Sequence, residues 1–405
     1  MLSHLKPNRR QLIPSFLITS SLLLSGYLFV LAFRLLPVEN TSLGLDWRTI
    51  WEGIRRGQVA YGNSGEVIGG LYTPPWGILL LLPLGYLTFK DSWGLFSFIS
   101  TLLLILSVPR LKNQRLDVIA ILLLALSFPA LRNLADGNLE ALVIAGIALA
   151  VFACNQKKPL LLSMGLLLAT VKFQETWLLA GFMLVLIIKH WSKTHLLKVF
   201  LLGGGVASFS MLLWGGAWLR ALFGNSPDPS GLSSAMGRGS IIDISLAAAL
   251  TRLGSPAWLT GALWFSILLA SLIPLFRFPP PAALDWRYAT FLVAASMLLA
   301  PYISGDSILT LAAVGVIPLF QERRLPGLGW MMMINLPFFV NREMMYHYSS
   351  YYWTGLALIL WLITWRKIAH AQSLPSERQP SELHAAQTGS NAVEGHQAEI
   401  RRNDG

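Results

Sequence analysis

Long apolar runs separated by short polar connections dominate this 405-residue chain. They fall near residues 13–36, 76–89, 92–109, 116–131, 138–153, 159–171, 176–189, 197–218, 257–276, 287–303, 307–320, 327–340 and 352–365. Runs of this kind, nearly free of charge, read as membrane helices. The weakest is 76–89. As a helix its roughly 14 residues rise only about 21 Å, against a hydrocarbon core of ~30 Å. Pro83 and Gly85 also interrupt it. It is predicted to be re-entrant or interfacial. The expected fold is therefore an all-α, polytopic transmembrane bundle of about twelve spans plus that one helix.

Basic residues set the expected orientation. Lys6, Arg9 and Arg10 precede the first run, and Arg366 and Lys367 follow the last. Both ends are expected in the cytoplasm, with Arg110, Lys157, Lys189, Arg287 and Arg323 on the same side, by the positive-inside pattern. Residues 13–36 lack a small-residue cleavage site and are expected to be a retained span, not a signal peptide. One membrane domain, 1–370, then carries two long outer loops, 37–75 and 219–256. Residues 371–405 are polar and are expected to form a disordered cytoplasmic tail.

Composition agrees. The chain is 54% hydrophobic and 13% charged, about half the charge of a soluble domain, with a mean hydropathy of +0.56. An ordinary soluble enzyme is excluded. The net charge of +11 would suggest nucleic acid in a soluble protein. Here the basic residues sit in loops between apolar runs, so no nucleic-acid partner is expected. Cys154 is the sole cysteine, which leaves no internal disulfide. No Asp-x-Asp pair or His cluster appears, so no metal or other cofactor is expected. His347, among Tyr346, Tyr348, Tyr351 and Tyr352, reads as part of an aromatic belt.

The outer connections are short yet rich in polar residues, while the span centres hold almost none. Asp46, Glu66, Asp136, Glu140, Glu175, Asp228, Asp243, Asp306 and Glu343 all fall on the outer side. A coupled carrier usually needs carboxylates near the midplane. Carboxylates gathered at one interface favour chemistry on a membrane-borne substrate, though loops are polar in any case.

The segment Gly44–Gly57 is predicted to be an amphipathic helix. Trp47, Ile50, Trp51 and Ile54 form an apolar face, and Arg48, Glu52, Arg55 and Arg56 the other. It would lie at the interface with its tryptophans at headgroup depth. Asp46 at its start is either an N-cap or a carboxylate base held beside a lipid-borne substrate. The arginines either meet lipid phosphates or form a ladder with Glu52.

These residues resemble the GT-C class of membrane glycosyltransferases, and more narrowly the bacterial polyprenol-phosphate-mannose-dependent α-mannosyltransferases. The resemblance is carried by Asp46-Trp47, Trp51, Gly57, Tyr61, Tyr72-x-Pro74-Pro75 and Pro83-Leu84. Gly137-Asn138-Leu139-Glu140 stands where that family has Gly-Gln-x-Asn. Lys172-Phe173-Gln174 stands for Lys-Pro-Gln, and Pro301, Ser304 and Asp306 for a late Pro-x-Ser element with a nearby acid. The resemblance implies a GT-C-like fold and a polyprenyl-phosphate sugar donor, with mannose the expected hexose. It also implies a lipid or glycan acceptor and inversion at the anomeric carbon by direct displacement.

Roles follow for the remaining candidates. Lys172 would hold the departing phosphate, unless it is a snorkelling lysine. Arg238, between Gly237 and Gly239, is the second candidate, unless its loop is merely flexible. Arg132 and Arg342 are further cations. Asp306 would assist the base or simply make a turn with Gly305. Asn138 and Glu140 would bind sugar hydroxyls or be ordinary span-end residues. Tyr61 and Tyr72 complete the expected substrate-binding set. The competing function is a lipid or sugar flippase or transporter, which would need polar residues along the spans. A third is a structural partner in envelope assembly.

Overall fold

The computed structural model describes residues 9–37, 43–55, 73–109, 114–223, 243–277, 284–339 and 342–373. These form helices α1 (Arg9–Leu35), α2 (Leu45–Arg55), α3 (Pro75–Leu81), α4 (Phe89–Ser107), α5 (Gln114–Ala125), α6 (Phe128–Asp136), α7 (Glu140–Asn155), α8 (Pro159–Ala169) and α9 (Phe173–His190). There follow α10 (Lys193–Val199), α11 (Gly205–Phe223), α12 (Leu246–Arg252), α13 (Ala257–Arg277), α14 (Trp286–Leu299), α15 (Ile308–Leu311), α16 (Ile317–Glu322), α17 (Arg324–Asn335) and α18 (Arg342–Ser373). Among the described residues there is no β-sheet; one isolated bridge joins Asp243 to Ser304. The all-α expectation is met.

Local chemistry starts and stops these helices. Thr88, Ser127, Ser192 and Ser245 each accept a backbone N–H at an N-cap. Asp285 accepts two, from Arg287 and Tyr288. Gly137 closes α6 in the left-handed conformation, φ 71°. Small residues let α7 and α8 approach closely: a Cβ on Gly146 would fall 2.1 Å from the Ala169 nitrogen, and one on Gly165 2.6 Å from the Ala150 nitrogen. α14 runs through the middle of the molecule, buried from Tyr288 to Leu299.

Large apolar side chains cover much of the outside, including Leu23, Leu201, Phe209, Leu212 and Leu263. Leu212 is 85% exposed. Surfaces of this kind need an apolar partner, and the apolar helices associate the chain with a membrane. By length and composition three helical stretches suffice to cross one: Phe89–Ser107, Pro159–His190 and Lys193–Leu219. Arg115–Ala125 with Phe128–Asp136, bent by 51°, would make a fourth. The expected twelve spans are not supported. The shortfall is one of length: α7 has 16 residues and α8 has 11, rises of about 24 Å and 17 Å.

The stretch Pro159–His190 turns back on itself. Ser163 Oγ donates to the Val199 carbonyl at 3.1 Å. Were α8 and α9 one straight rod, Ser163 would lie about 40 Å from His190, too far for Val199 to reach. The chain reverses at the 3-10 turn Thr170–Lys172, where Lys172 leaves helical geometry with φ −115° and ψ 78°. This agrees with reading 159–171 and 176–189 as separate segments.

Other sequence expectations shift. The run 116–131 is broken, because Ser127 caps a new helix and Pro129 favours its first turn. The segment 76–89 forms α3 and a 3-10 turn, Leu82–Tyr86. Its start packs at Val171 and its end at Ile54. The last run, expected at 352–365, belongs to a 32-residue helix reaching Ser373. The rest of the expected tail, 374–405, lies outside the described residues.

Polar side chains gather at two opposite ends of the bundle. At one, Asn155 meets the backbone of Leu284, Gln321 meets Asp117, and Glu322 pairs with Arg287 and Lys367. The other end holds the cluster described next.

Candidate functional site

α2 is the platform of this cluster. Its apolar face is the expected one, with Trp47, Ile50 and Ile54 buried. Trp47, however, is packed inside the protein, while Trp51 is half-buried. Trp47 is 0% exposed, stacks on Phe96 with centroids 4.2 Å apart, and donates to Ser92 Oγ at 3.1 Å. Trp51 donates to the Leu87 carbonyl at 3.0 Å. The helix is a packed part of the protein because α4 and the turn after α3 supply an apolar seat for it. On its polar face the Arg48 guanidinium lies 5.0 Å from the Phe89 ring centroid, and that of Arg55 4.9 Å from the Trp51 ring.

Asp46 is not the N-cap. The Gly44 carbonyl accepts the first helical bond, from the Arg48 nitrogen at 2.7 Å. Asp46 therefore stands two residues into the helix, near the positive end of its dipole. Its side chain reaches the α6–α7 junction instead. The Asn138 amide nitrogen donates to Asp46 Oδ2 at 2.8 Å and to Asp306 Oδ2 at 3.1 Å. The Asn138 carbonyl oxygen accepts from the Leu139 backbone at 2.7 Å, which fixes the orientation of the amide.

Two close backbone approaches bring these parts together. The Gly44 nitrogen donates to the Ala135 carbonyl at 2.7 Å. A Cβ on Gly137 would lie 2.4 Å from the Trp47 Cβ. With no side chain there, and with a left-handed backbone, the α6–α7 junction lies directly on α2 and turns Asn138 toward Asp46.

Around this pair the other acids and bases interlock. Arg132 contacts Asp136 at 3.0 Å and Asp306 at 3.5 Å. Ser304 Oγ donates to Asp306 Oδ2 at 3.0 Å. Lys172 pairs tightly with Glu140 and lies 4.0 Å from Glu175. Asn133 donates to Glu140 at 2.7 Å. Glu175 accepts from Ser307 at 2.6 Å and Thr310 at 2.7 Å. Asp243 closes the cluster on one flank, receiving the backbone N–H groups of Ser245 and Ile303.

The electrostatics follow from burial. Burial raises the Asp46 carboxyl to about 7, and the neighbouring charge of Asp306 adds to it; Lys172 pulls the other way. Burial also pushes the Tyr302 phenol up to about 12 and raises Asp243. A carboxylate with such a value takes a proton from a hydroxyl more readily than an ordinary aspartate, yet is still substantially ionised near neutrality.

Of the residues singled out in the sequence, Asp46, Arg132, Asn138, Glu140, Lys172 and Asp306 meet at this one end. Tyr61, Tyr72 and Arg238 lie outside the described residues, as does Arg56. Lys172 is not a free cation at a span end, because two buried glutamates share its charge. Glu175, Asn133 and Tyr302 were not foreseen as members. A signal existed for Glu175: it follows Lys172 by three residues, and Ser307 and Thr310, themselves three apart, supply its hydroxyl partners. Among the described residues no group of three or more His, Cys, Asp or Glu has the arrangement of a metal site.

The family model of glycosyltransferase family 87 matches residues 71–304, more than half of the chain. The chain belongs to glycosyltransferase family 87. It is thus a glycosyltransferase, which requires a sugar donor and an acceptor as substrates. Most of the polar cluster lies within the match; Asp46 precedes it and Asp306 follows it by two residues. No curated protein and no solved structure matches the chain.

Proposed function

We propose that this family 87 member moves a hexose, mannose first, from a polyprenyl-phosphate donor to a lipid or glycan acceptor, with Asp46 as the general base. The observation that carries the reading is a half-buried carboxylate raised to about 7, held on the packed helix α2 amid charged and hydrogen-bonding groups.

The acceptor hydroxyl gives its proton to Asp46 as its oxygen attacks the anomeric carbon. The bond from that carbon to the donor phosphate breaks, and the polyprenyl phosphate leaves with the electron pair. One displacement inverts the anomeric centre and needs a single base. Arg132, Lys172 and Arg238 are the proposed cations for the leaving phosphate. Arg132 is half exposed and more open to a ligand than Lys172. Glu140 and Asp306 line the sugar side of the site, Asn138 holds Asp46 in place there, and Tyr61 and Tyr72 are the proposed substrate contacts.

The polar cluster is proposed to face the extracytoplasmic side of a multi-pass protein with both termini in the cytoplasm. Arg287, Arg323 and Lys367 at the opposite end of the bundle support that orientation.

A donor panel tests the proposal. Purified protein in liposomes receives radiolabelled mannose on polyprenyl phosphate, glucose on polyprenyl phosphate, or mannose on a nucleotide, together with lipids and glycans from the host. Label is expected to move from polyprenyl-phosphate mannose and not from the nucleotide sugar, with inverted configuration in the product. Transfer from the nucleotide sugar alone, or retention of configuration, contradicts the reading.

A further inference from the structure

Two carboxylates share one amide in this site. The Asn138 nitrogen carries two hydrogens, and two acceptors lie in range: Asp46 Oδ2 at 2.8 Å and Asp306 Oδ2 at 3.1 Å. The Leu139 N–H occupies the amide oxygen, so Asn138 cannot flip without losing all three bonds. Ser304 Oγ holds the same Asp306 oxygen at 3.0 Å, and Arg132 approaches the other at 3.5 Å. The Asp306 carboxylate is thereby fixed facing Asp46 across one nitrogen atom. Both N–H groups of Asn138 are spent on carboxylates and none is left for a sugar hydroxyl.

We infer that Asn138 and Asp306 are positioning residues for Asp46: the Asn138 amide holds the base in place, and the Asp306 carboxylate is the charge that tunes it. This rests on the reading of Asp46 as the base. Asn138 favours the ionised carboxylate by donating to it, and Asp306 disfavours it by like charge. The two neighbours therefore act in opposite directions. The other groups facing Asp46 are Arg132 and Asp136 on α6, Lys172 at the turn before α9, and Tyr302 before Ser304. Glu140 on α7 is engaged by Lys172 and Asn133. On α4, Asp91 and Lys90 are turned to α1, where they meet Arg34 and backbone carbonyls.

Infrared titration of the purified full-length protein reads this without sugar transfer. The protonated-carboxyl band that disappears in Asp46→Asn belongs to Asp46. In the wild type its midpoint is expected near 7. In Asp306→Asn it falls by about one pH unit or more, because a like charge is removed. In Asn138→Leu it rises, because a donor to the charged form is removed; Asn138→Ser serves if the leucine variant does not fold. A general loosening of the site would not move the midpoint in opposite directions. An unmoved midpoint in Asp306→Asn, a shift of the same sign in both variants, or no band lost in Asp46→Asn overturns the inference. Failure of the base reading shows separately, as undiminished sugar transfer by Asp46→Asn.

Discussion

The side-chain amide of Asn138 donates to Asp46 at 2.8 Å across 92 positions of sequence. Neither residue has a local reason to face the other. The contact exists because Gly137 is left-handed and side-chain-free where α6 ends, so the start of α7 can lie against Trp47.

That dependence is testable at Gly137. Its φ of 71° disfavours any L side chain, and a methyl group would fall 2.4 Å from the Trp47 Cβ. Gly137→Ala is expected to cost at least about 1–2 kcal/mol in stability and to reduce sugar transfer by shifting Asn138. Gly181, where an added methyl group would meet nothing within 4 Å, is the control: Gly181→Ala is expected to be neutral or mildly stabilising. Thermal unfolding in detergent compares the two. Equal melting temperatures for both variants contradict the account of the α2–α6 contact.

Lys172 offers a second test. It is the cation shared by Glu140 and Glu175, both fully buried. Replacing it by Met leaves two buried carboxylates without a positive partner, and about 3–5 kcal/mol of stability is expected to be lost. Adding Glu140→Gln should recover part of that loss, since one of the stranded charges is removed. A lysine that merely snorkels to the surface would show no such coupling in a double-mutant cycle.

The pH dependence has a definite sign. Asp46 must be ionised to accept a proton, and burial raises it from 3.8 to about 7. Transfer is expected to rise with pH through about 7, reaching at pH 6 about a tenth of its plateau. Stability runs the other way. A carboxyl raised in the fold binds its proton more tightly there than in the unfolded chain, so its contribution declines as pH climbs from about 4 to about 7. A rate that is flat between pH 5 and 8, with chemistry limiting, contradicts the assignment.

Much of this site was legible in the sequence, and the reason differs by residue. Asp46 stood out because it opens a helix whose apolar positions recur at i, i+3, i+4 and i+7. Lys172, Asn138 and Asp306 stood out as polar residues at the ends of apolar runs. Their convergence was not legible, since it depends on the reversal at Thr170–Lys172 and the left-handed Gly137. Glu175 stood among the outer carboxylates without a role of its own, because one carboxylate in the first turn of an apolar helix is ordinary until Ser307 and Thr310 are seen to face it. The break after residue 125 carried its own signs, Ser127 and Pro129, but they lie inside a run apolar enough to read as continuous. The count of spans went furthest astray. Hydropathy marks where a chain is apolar, whereas helices of 11 or 16 residues show that an apolar run need not be long enough to cross.

The most direct measurement is the turnover of Asp46→Asn beside Asp46→Glu and wild type, in liposomes supplied with polyprenyl-phosphate mannose and a host lipid and glycan extract. Asn keeps the size of the side chain and its place beside Asn138 but cannot take a proton. The account predicts a loss of about 100-fold or more in Asp46→Asn, partial activity in Asp46→Glu, and the same folded monodisperse protein in all three. Wild-type turnover in a folded Asp46→Asn would contradict it.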